Sequence, residues 1–323
     1  AEDVICAPVP FYHCFGCVMA VLTSLTRGCA LVTPHDYFDP VHTLDAVERF
    51  AATALYGVPT MFIAQLSDAH FDQVDLSSLR TGIMAGSPCP IEVMRDVVSR
   101  MGASEMTIAY GQTEASPVIT QTTTDDTVER RVTTVGKALP GLEVRIVDPE
   151  TGEECPAGAQ GELWARGFTI MAGYFDKPDE TAAAIDEEGW LHTGDLATAD
   201  EEGYFKITGR LKDMVIRGGE NIYPREVEEF LFSHPAILEV QCFGVPDQRF
   251  GEQLAAWVRL RDGFSLSEDE VREFCRGKIS HFKVPRYVRF VDEFPMTVTG
   301  KVQKYKMREV MCADLQLDEV ETA

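Results

Sequence analysis

The residues best suited to chemistry lie in a series of short motifs that combine glycine with charged, hydroxyl or aromatic side chains. One of them, Tyr110-Gly111-Gln112-Thr113-Glu114, directly follows a strand-like segment. The Tyr110 ring can stack on a base, the Thr113 hydroxyl can donate to a phosphate, and the Glu114 carboxylate can hold a Mg²⁺ ion. Taken alone, such a motif is more typical of a surface turn, so it specifies no function by itself.

Acidic and basic side chains at strand ends form two further candidate motifs. Asp195 ends the run Trp190–Asp195, and a carboxylate in this setting can accept hydrogen bonds from both hydroxyls of a ribose. A turn or helix-cap aspartate gives the same pattern. Arg210 and Lys212 belong to a charged cluster after the strand-like run Tyr204–Thr208, and a solvated linker has a similar composition.

Two glycine-containing turns complete the series. Gly218 and Gly219 precede a helix that Pro224 is expected to begin, and glycine lets the backbone approach a ligand closely. This run lacks the GxxxxGK[ST] spacing of a Walker phosphate loop. Lys301 follows the flexible turn Pro295–Gly300, where a lysine can act as a mobile cation. Each of these motifs is a weak signal when taken singly.

Composition and net charge indicate a globular protein and disfavour two classes of binding partner. A chain of 323 residues with 45% hydrophobic and 25% charged residues is typical of a globular protein with about two domains. The formal net charge of −23 disfavours nucleic acid and anionic membranes as partners, because both repel a strongly negative surface. The net charge thus argues against two classes of partner and does not identify another.

The cysteines and apolar runs indicate the compartment. Nine scattered cysteines, an odd number, fit reduced thiols and favour a cytoplasmic protein. The longest nearly apolar run, Cys14–Leu25, is too short to span a membrane and predicts a buried helix, so no transmembrane segment is expected. Cys14-Phe15-Gly16-Cys17 formally matches a redox motif, but buried thiols are the favoured interpretation.

The spacing of hydrophobic residues predicts the strands and helices that position these motifs. Strand-like runs at Thr81–Ala85 and Met106–Tyr110 flank a helical pattern after Pro90, which predicts an α/β sheet over residues 1–134. Short strands without a long helix predict a small β-barrel or sandwich over residues 135–211. Residues 212–323 return to a mixed pattern and predict a compact α+β domain with a boundary near Leu211–Asp213.

Together, and in this order, the motifs resemble the adenylate-forming superfamily of acyl-CoA synthetases, peptide-synthetase adenylation domains and firefly luciferase. The resemblance covers essentially the whole chain. Medium-chain fatty-acyl-CoA synthetases are the most similar branch, judged by four runs: Pro10–Gly16, Ala85–Pro88, Arg217–Pro224 and Ile279–Pro285. The resemblance implies that residues 1–211 are the C-terminal portion of a large AMP-binding domain and that residues 212–323 are its mobile lid domain.

The resemblance also assigns roles to residues of the first motifs. It implies nucleotide binding by Gly86, Ser87, Pro88, Tyr110, Gly111, Asp195 and Arg210, with the last two on the ribose. Three catalytic residues are implied. Thr113 would contact the α-phosphate, Glu114 would hold Mg²⁺, and Lys301 would stabilise the charge that develops as the acid attacks that phosphate.

The remaining roles concern the acyl group and coenzyme A. His13, Tyr56 and Gly57 are implied to border the acyl pocket. A lone histidine is more often structural, so the role of His13 rests on the resemblance. Lys212 matches the family's hinge, and Gly218 and Gly219 would line the tunnel for coenzyme A.

The activity implied is AMP-forming ligation of a fatty acid to coenzyme A, an acid–thiol ligase reaction with ATP and coenzyme A as co-substrates and Mg²⁺ as cofactor. No protein nucleophile is required, which is consistent with the lack of a Ser-His-Asp pattern. An acyl-AMP ligase, an aryl or short-chain acid CoA ligase, and an inactive fragment acting as a binding module are the alternatives.

The start of the chain departs from the family pattern. Ala1–Pro10 has neither an initiator methionine nor the basic region of a secretory signal, so the chain is expected to begin within a longer protein. The family's Ser/Thr/Gly-rich phosphate loop is expected upstream of residue 1. The acyl chain length and a homo-oligomeric state are left open by the sequence.

Overall fold

The structure is a computed structural model that describes residues 2–87, 89–297 and 301–317. The chain divides into two compact units. Residues 1–193 and 197–207 form the first, and residues 194–196 and 208–323 form the second. The domain boundary expected near Leu211–Asp213 stays a prediction.

A seven-stranded sheet forms the centre of the first unit, in the order β2-β1-β3-β4-β5-β6-β7. Its strands are β1 (Val4–Cys6), β2 (Ala30–Val32), β3 (Ala54–Gly57), β4 (Thr81–Ala85), β5 (Glu105–Tyr110), β6 (Thr120–Gln121) and β7 (Lys137–Ala138). The first five pair in parallel, while β6 and β7 are antiparallel to their neighbours. The carboxyl ends of β1–β5 therefore meet at one edge, where ligands bind in open α/β sheets.

Five α-helices lie between these strands in the part of the chain that the structure describes. They are α1 (Thr23–Arg27), α2 (Pro40–Arg49), α3 (Pro59–Ser67), α4 (Ile91–Arg100) and α5 (Val128–Thr133). A further helix of this unit, α6 (Pro178–Ala184), follows the sheet in the chain. In α4, Val93, Met94 and Val97 recur near a 3.6 period and are buried, as the sequence pattern predicts. Gly102, at a φ of +75°, stands just beyond the helix end, where glycine is favoured.

The run Cys14–Leu25 corrects two predictions. It forms a π-helix (Phe15–Leu22) that continues into α1, but its burial is partial: Leu22 is 46% and Leu25 is 73% exposed. Cys17 is also exposed and Cys14 is half-buried, so the interpretation as two buried thiols is wrong. A mainly apolar run does not reveal which side faces solvent when nearly every position is hydrophobic.

The region predicted to be a small β-barrel or sandwich contains a four-stranded sheet. Its order is β11-β10-β9-β8, formed by β8 (Leu142–Val147), β9 (Gln160–Gly167), β10 (Leu191–Ala199) and β11 (Phe205–Arg210). Strands β8 and β9 are antiparallel. The predicted strands are present, and the short helix α6 lies between β9 and β10.

The second unit contains a five-stranded sheet in the order β13-β12-β15-β14, with β16 paired to β15. Its elements are β12 (Val215–Arg217), β13 (Glu220–Ile222), α7 (Pro224–Phe232), β14 (Ile237–Asp247), β15 (Gly251–Leu260), α8 (Glu268–Cys275), β16 (Tyr287–Phe290) and α9 (Lys304–Leu315). Pro224 begins α7, and Ser267 and Glu270 form the predicted capping box before α8. The α+β pattern predicted for this part is thus confirmed.

Each unit has its own apolar core. In the first, Ile5, Phe15, Tyr56 and Met61 pack with neighbours from β1, β3 and β5. In the second, β14 and β15 pack against Met307 and Met311 of α9. Among the residues that the structure describes, no helix is long and apolar enough to cross a membrane.

Candidate active site

The loops that follow β3, β4 and β5 lie at one edge of the parallel sheet. The strands are in register, with Gly57 opposite Met84 and Ala85 opposite Ala109. The predicted residues Gly57, Gly86, Ser87, Tyr110 and Gly111 therefore end or directly follow neighbouring strands. Pro88, predicted with them, lies outside the described residues.

The conformation of the β5 loop requires glycine at position 111. A Cβ atom there would lie 2.0 Å from the Pro117 carbonyl oxygen, closer than any real contact. The loop turns back on itself through a short 3₁₀ helix, Thr113–Ala115. The result is that Thr113 is exposed and Glu114 is half-buried immediately after the sheet edge.

A tyrosine from a distant segment holds Glu114. The Tyr174 hydroxyl donates to Glu114 Oε1 at 2.8 Å, and the Met171 backbone N–H donates to the Glu114 carbonyl oxygen at 2.8 Å. Burial raises the pKa of Tyr174, and the hydrogen bond to Glu114 raises it further, so the phenol stays protonated and remains a donor. This partner was missed by the sequence reasoning, because Tyr174 lies 60 residues from Glu114 and no local pattern relates the two.

Glu114 and its surroundings fit a Mg²⁺ ion that is shared with a nucleotide. Mg²⁺ is commonly bound by one or two carboxylates together with substrate phosphates and water, rather than by a dedicated protein cage. Within residues 2–87, 89–297 and 301–317, no group of three or more metal-ligating side chains occurs. A carboxylate has two oxygens and several lone pairs, so the bond from Tyr174 is compatible with metal binding.

Cys14 joins the loop after β1 to the loop after β5. Its Sγ lies 3.4 Å from Thr113 Oγ1 and 3.8 Å from His13 Nδ1. His13 Nδ1 also accepts the Phe15 backbone N–H at 3.2 Å. The structure thus brings His13, predicted for the acyl pocket, close to Thr113, predicted for the phosphate, through a thiol that the sequence reasoning did not include in the site.

Tyr56 and Gly57 are set back in the core beside these loops. Tyr56 is 8% exposed, and its ring centroid lies 6.3 Å from that of Phe15. Burial raises the pKa of Tyr56, so its hydroxyl is neutral. A Cβ at Gly57 would lie 3.1 Å from Phe62. Tyr56 and Gly57 can form one wall of a pocket. Residues with a purely structural place in the core would show the same close packing.

Asp195 and Arg210 meet in the second unit. Arg210 Nε donates to Asp195 Oδ1 at 2.7 Å; the Asp195 side chain is 6% exposed and the Arg210 side chain 59% exposed. Asp195 lies on β10 and Arg210 ends β11, so adjacent strands position the pair. The two residues predicted to bind a ribose are therefore direct partners.

Gly218 and Gly219 form the two-residue turn of the β12–β13 hairpin. Their φ values are +60° and +88°, which a type I′ turn requires and glycine supplies without strain. The Gly218 backbone N–H donates to the Phe250 carbonyl oxygen at 2.8 Å. The turn geometry explains both glycines, and their role in coenzyme A binding stays a prediction.

Lys301 and Lys212 are both exposed. The Lys301 backbone N–H donates to Thr297 Oγ1 at 3.0 Å, and its carbonyl accepts the Thr297 backbone N–H at 2.8 Å. Lys301 stands three residues before α9 begins. Lys212 lies in the 3₁₀ helix Leu211–Asp213. Both lysines can thus extend their ammonium groups into solvent.

Comparison with known proteins decides the family. Residues 1–175 match the AMP-binding enzyme family, and residues 226–301 match the AMP-binding enzyme C-terminal domain.

The chain belongs to the AMP-binding enzymes.

Among curated AMP-binding enzymes it is 60% identical over 309 residues to YngI of Bacillus subtilis (strain 168), which is named as an acyl-CoA synthetase; the match covers 96% of this chain and 56% of YngI. It is 48% identical over 305 residues to the mitochondrial medium-chain acyl-CoA ligase ACSF2 of Danio rerio, covering 94% of this chain and 50% of ACSF2. The chain thus spans about half the length of the curated relatives it matches.

Solved AMP-binding enzymes share the fold. ATP-bound MatB from Rhodopseudomonas palustris matches with a TM-score of 0.87 at 34% identity, over 97% of this chain and 61% of MatB. The anthranilate CoA ligase AuaEII, in complex with anthranoyl-AMP, matches with a TM-score of 0.89 at 29% identity, over 98% of this chain and 61% of AuaEII. The predicted superfamily and fold class are confirmed.

Proposed function

We propose that the protein is an ATP-dependent acyl-CoA synthetase that activates a fatty acid of medium chain length as an acyl-AMP and transfers it to coenzyme A. The observation that carries the proposal is the Thr113–Glu114 turn at the carboxyl edge of the parallel sheet, beside His13, in a member of the AMP-binding enzymes. The relatives named as acyl-CoA synthetase and medium-chain acyl-CoA ligase support the choice of acid and thiol.

In the first half-reaction, a carboxylate oxygen of the acid attacks the α-phosphorus of ATP, the bond to pyrophosphate breaks, and acyl-AMP forms. Thr113 is assigned to the α-phosphate, where its hydroxyl can donate to an oxygen that gains charge. Glu114, held by Tyr174, is assigned to Mg²⁺. When bound, Mg²⁺ neutralises phosphate charge in such reactions.

The nucleotide's other contacts are assigned by position. The adenine is proposed to bind at the carboxyl ends of β4 and β5. The residues assigned to this site are Gly86, Ser87, Tyr110 and Gly111. The Asp195–Arg210 pair is proposed to bind the ribose, because a carboxylate fixed by a guanidinium can still accept two hydroxyl hydrogen bonds. Lys301 is proposed to stabilise the negative charge shared by the attacking carboxylate and the phosphate.

In the second half-reaction, the thiol sulfur of coenzyme A attacks the acyl carbonyl carbon of acyl-AMP. The thioester forms as the bond to AMP breaks, and AMP leaves with the former carboxylate oxygen. We assign Lys212 as the hinge for the conformational change between the half-reactions and the Gly218–Gly219 turn to the tunnel for coenzyme A. His13, Tyr56 and Gly57 are assigned to the acyl pocket. A cytoplasmic location stays a prediction.

A panel of acids tests the proposal. The full-length protein is incubated with ATP, Mg²⁺ and each acid, with and without coenzyme A, and AMP is measured by chromatography. We expect multiple-turnover AMP release that requires coenzyme A and is fastest with acids such as octanoate.

Other outcomes select the alternatives. Equal AMP release without coenzyme A would indicate an acyl-AMP ligase, and a preference for benzoate or acetate would indicate an aryl or short-chain CoA ligase, a chemistry represented in this fold by AuaEII. No AMP with any acid, together with calorimetric binding of an acyl-AMP analogue, would indicate a binding module.

A further inference from the structure

The Cys14-Phe15-Gly16-Cys17 motif places two accessible thiols at the start of the π-helix Phe15–Leu22. Cys17 is exposed and Cys14 is half-buried, whereas Cys6, Cys89, Cys242 and Cys275 are buried. None of the nine cysteines is in a disulfide. Among the described residues, Cys17 is thus the one cysteine classed as exposed, and Cys14 lies three residues before it.

The backbone brings the two thiols within bridging distance. The Cys17 backbone N–H donates to the His13 carbonyl oxygen at 2.9 Å, so residues 13–17 form one helical turn. In such a turn, residues three apart share a face with Cα atoms about 5 Å apart. A disulfide spans Cα separations of roughly 4.4–6.8 Å, so the backbone separation of the pair suits a disulfide after a local adjustment that brings the two Cβ atoms closer.

The same turn contacts the proposed active site. Cys14 Sγ lies 3.4 Å from Thr113 Oγ1 and 3.8 Å from His13 Nδ1. A bond from Cys14 to Cys17 would constrain the Cys14 sulfur by a new torsion, so its contact with the Thr113 hydroxyl is expected to change.

We propose that Cys14 and Cys17 form a redox-active dithiol, and that its oxidation to a disulfide disables the phosphate side of the active site through Thr113. The formation of the disulfide is independent of the reaction catalysed, and only its effect on activity rests on the proposed function. The oxidant is a peroxide.

The oxidation balances in two steps. The exposed Cys17 sulfur attacks hydrogen peroxide, an S–O bond forms as the O–O bond breaks, and one water leaves with a sulfenic acid on Cys17. The Cys14 sulfur then attacks the Cys17 sulfur, the S–S bond forms, and the S–O bond breaks to release a second water. Two thiols lose two electrons and two protons, and one peroxide is reduced to two waters.

Peptide mapping tests the redox pair directly. The reduced full-length protein is treated with hydrogen peroxide, remaining thiols are alkylated, and the peptides are analysed by mass spectrometry. We expect a Cys14–Cys17 disulfide that dithiothreitol reverses. Cys17→Ser removes it, whereas the control variant Cys312→Ser, at a half-buried cysteine in α9, leaves it unchanged. Recovery of Cys14 and Cys17 only as thiols or as higher oxides overturns the proposal.

Two readouts then test the switch. Acyl-AMP formation by the oxidised protein is expected to fall about tenfold, as for loss of a polar contact in the site, and to recover with dithiothreitol. Cys17→Ser is expected to keep its reduced-state rate in peroxide to within about twofold. If the disulfide forms and the rate of acyl-AMP formation stays unchanged, the proposed effect of oxidation on activity is wrong.

If the reduced protein forms no acyl-AMP, the proposed function fails separately. Calorimetric binding of ATP to the two redox forms then decides the switch. Weaker binding by the oxidised form supports it, and equal binding overturns it.

Discussion

Lys304 Nζ lies 2.7 Å from Glu228 Oε1, and the same carboxylate oxygen accepts the Cys242 backbone N–H at 2.7 Å. Glu228 belongs to α7, Cys242 to β14 and Lys304 to the first turn of α9. Burial alone would lower the pKa of Lys304, but the charge and hydrogen bond of Glu228 outweigh it and the pKa is raised. The pair therefore fixes the start of α9, three residues after Lys301.

Replacing Glu228 by glutamine should destabilise the protein because it leaves the largely buried Lys304 ammonium without its counter-charge. The two side chains are 23% and 13% exposed, so we expect a loss of about 2 kcal/mol in the free energy of unfolding, measured by urea denaturation. The control, Glu273→Gln, removes a pair with Arg276 whose side chains are 68% and 70% exposed, and it should change stability by less than about 0.5 kcal/mol. Equal losses in both variants would refute the role of the buried pair.

The charge of His70 should depend on Asp45. Its Nε2 lies 2.7 Å from Asp45 Oδ1, and this hydrogen bond raises the pKa of His70 above its ordinary 6.5. A raised pKa in the folded state means that the pair's contribution to stability is fully present below pH 6.5 and is lost as the pH rises through the folded-state pKa.

Histidine NMR titration measures this effect. In the wild type, the His70 ring signals should titrate above pH 6.5, and in Asp45→Asn the midpoint should move down. Asp68 also raises the pKa of His70 through its charge, so Asp68→Asn serves as a second, weaker variant. A wild-type midpoint at or below that of Asp45→Asn would be incompatible with the hydrogen bond.

The hydrogen bond from Tyr174 should position Glu114 for the metal. Tyr174→Phe removes the 2.8 Å hydrogen bond to Glu114 and keeps the aromatic ring. We expect the rate of acyl-AMP formation to fall about tenfold. The fall should be larger at low Mg²⁺ concentration than at high Mg²⁺ concentration. Glu114→Gln, which removes the charge itself, should reduce the rate more. Tyr37→Phe, at a 65% exposed tyrosine, is the control. Insensitivity of the Tyr174→Phe rate to Mg²⁺ concentration would argue against this positioning role.

Lys301 and Lys212 should act on different half-reactions. Lys301→Ala should reduce acyl-AMP formation by about 100-fold or more while ATP binding changes little, because the lysine is proposed to act on charge that develops in the transition state. Lys212→Pro should leave acyl-AMP formation largely intact and slow thioester formation, because proline restricts the backbone at the proposed hinge. Rapid-quench measurement of each step separates the two.

The exposed Lys206 provides the control for this pair of variants, and Lys206→Ala should affect neither step. If Lys212→Pro slowed both half-reactions equally, the hinge assignment would be wrong. If Lys301→Ala slowed only thioester formation, the lysine would not serve adenylation.

Local features of the fold could be predicted from the sequence. The strand Thr81–Ala85 has the predicted bounds, and Pro224 and the Ser267–Glu270 capping box begin helices where the sequence indicates, because proline geometry and caps act within a few residues. The placement of Gly86 and Gly111 after neighbouring strands follows from parallel pairing, which an α/β pattern already implies.

Contacts between distant segments could not be predicted in this way. Tyr174 lies 60 residues from Glu114, and Cys14 lies 99 residues from Thr113, so neither periodicity nor spacing relates them. The exposure of Cys17 was also missed, because its hydrophobic neighbours gave no polar face to orient the helix. The roles assigned to Lys212, Gly218 and Gly219 rest on the family resemblance and remain predictions.

The most direct test of acyl-AMP formation follows the oxygen atoms of the acid. Octanoate labelled with oxygen-18 in its carboxylate is converted by the full-length protein with ATP, Mg²⁺ and coenzyme A, and the products are analysed by mass spectrometry. Attack of the carboxylate on the α-phosphate must leave one labelled oxygen in AMP and one in the thioester. Unlabelled AMP, or label recovered in inorganic phosphate, would contradict the proposed mechanism.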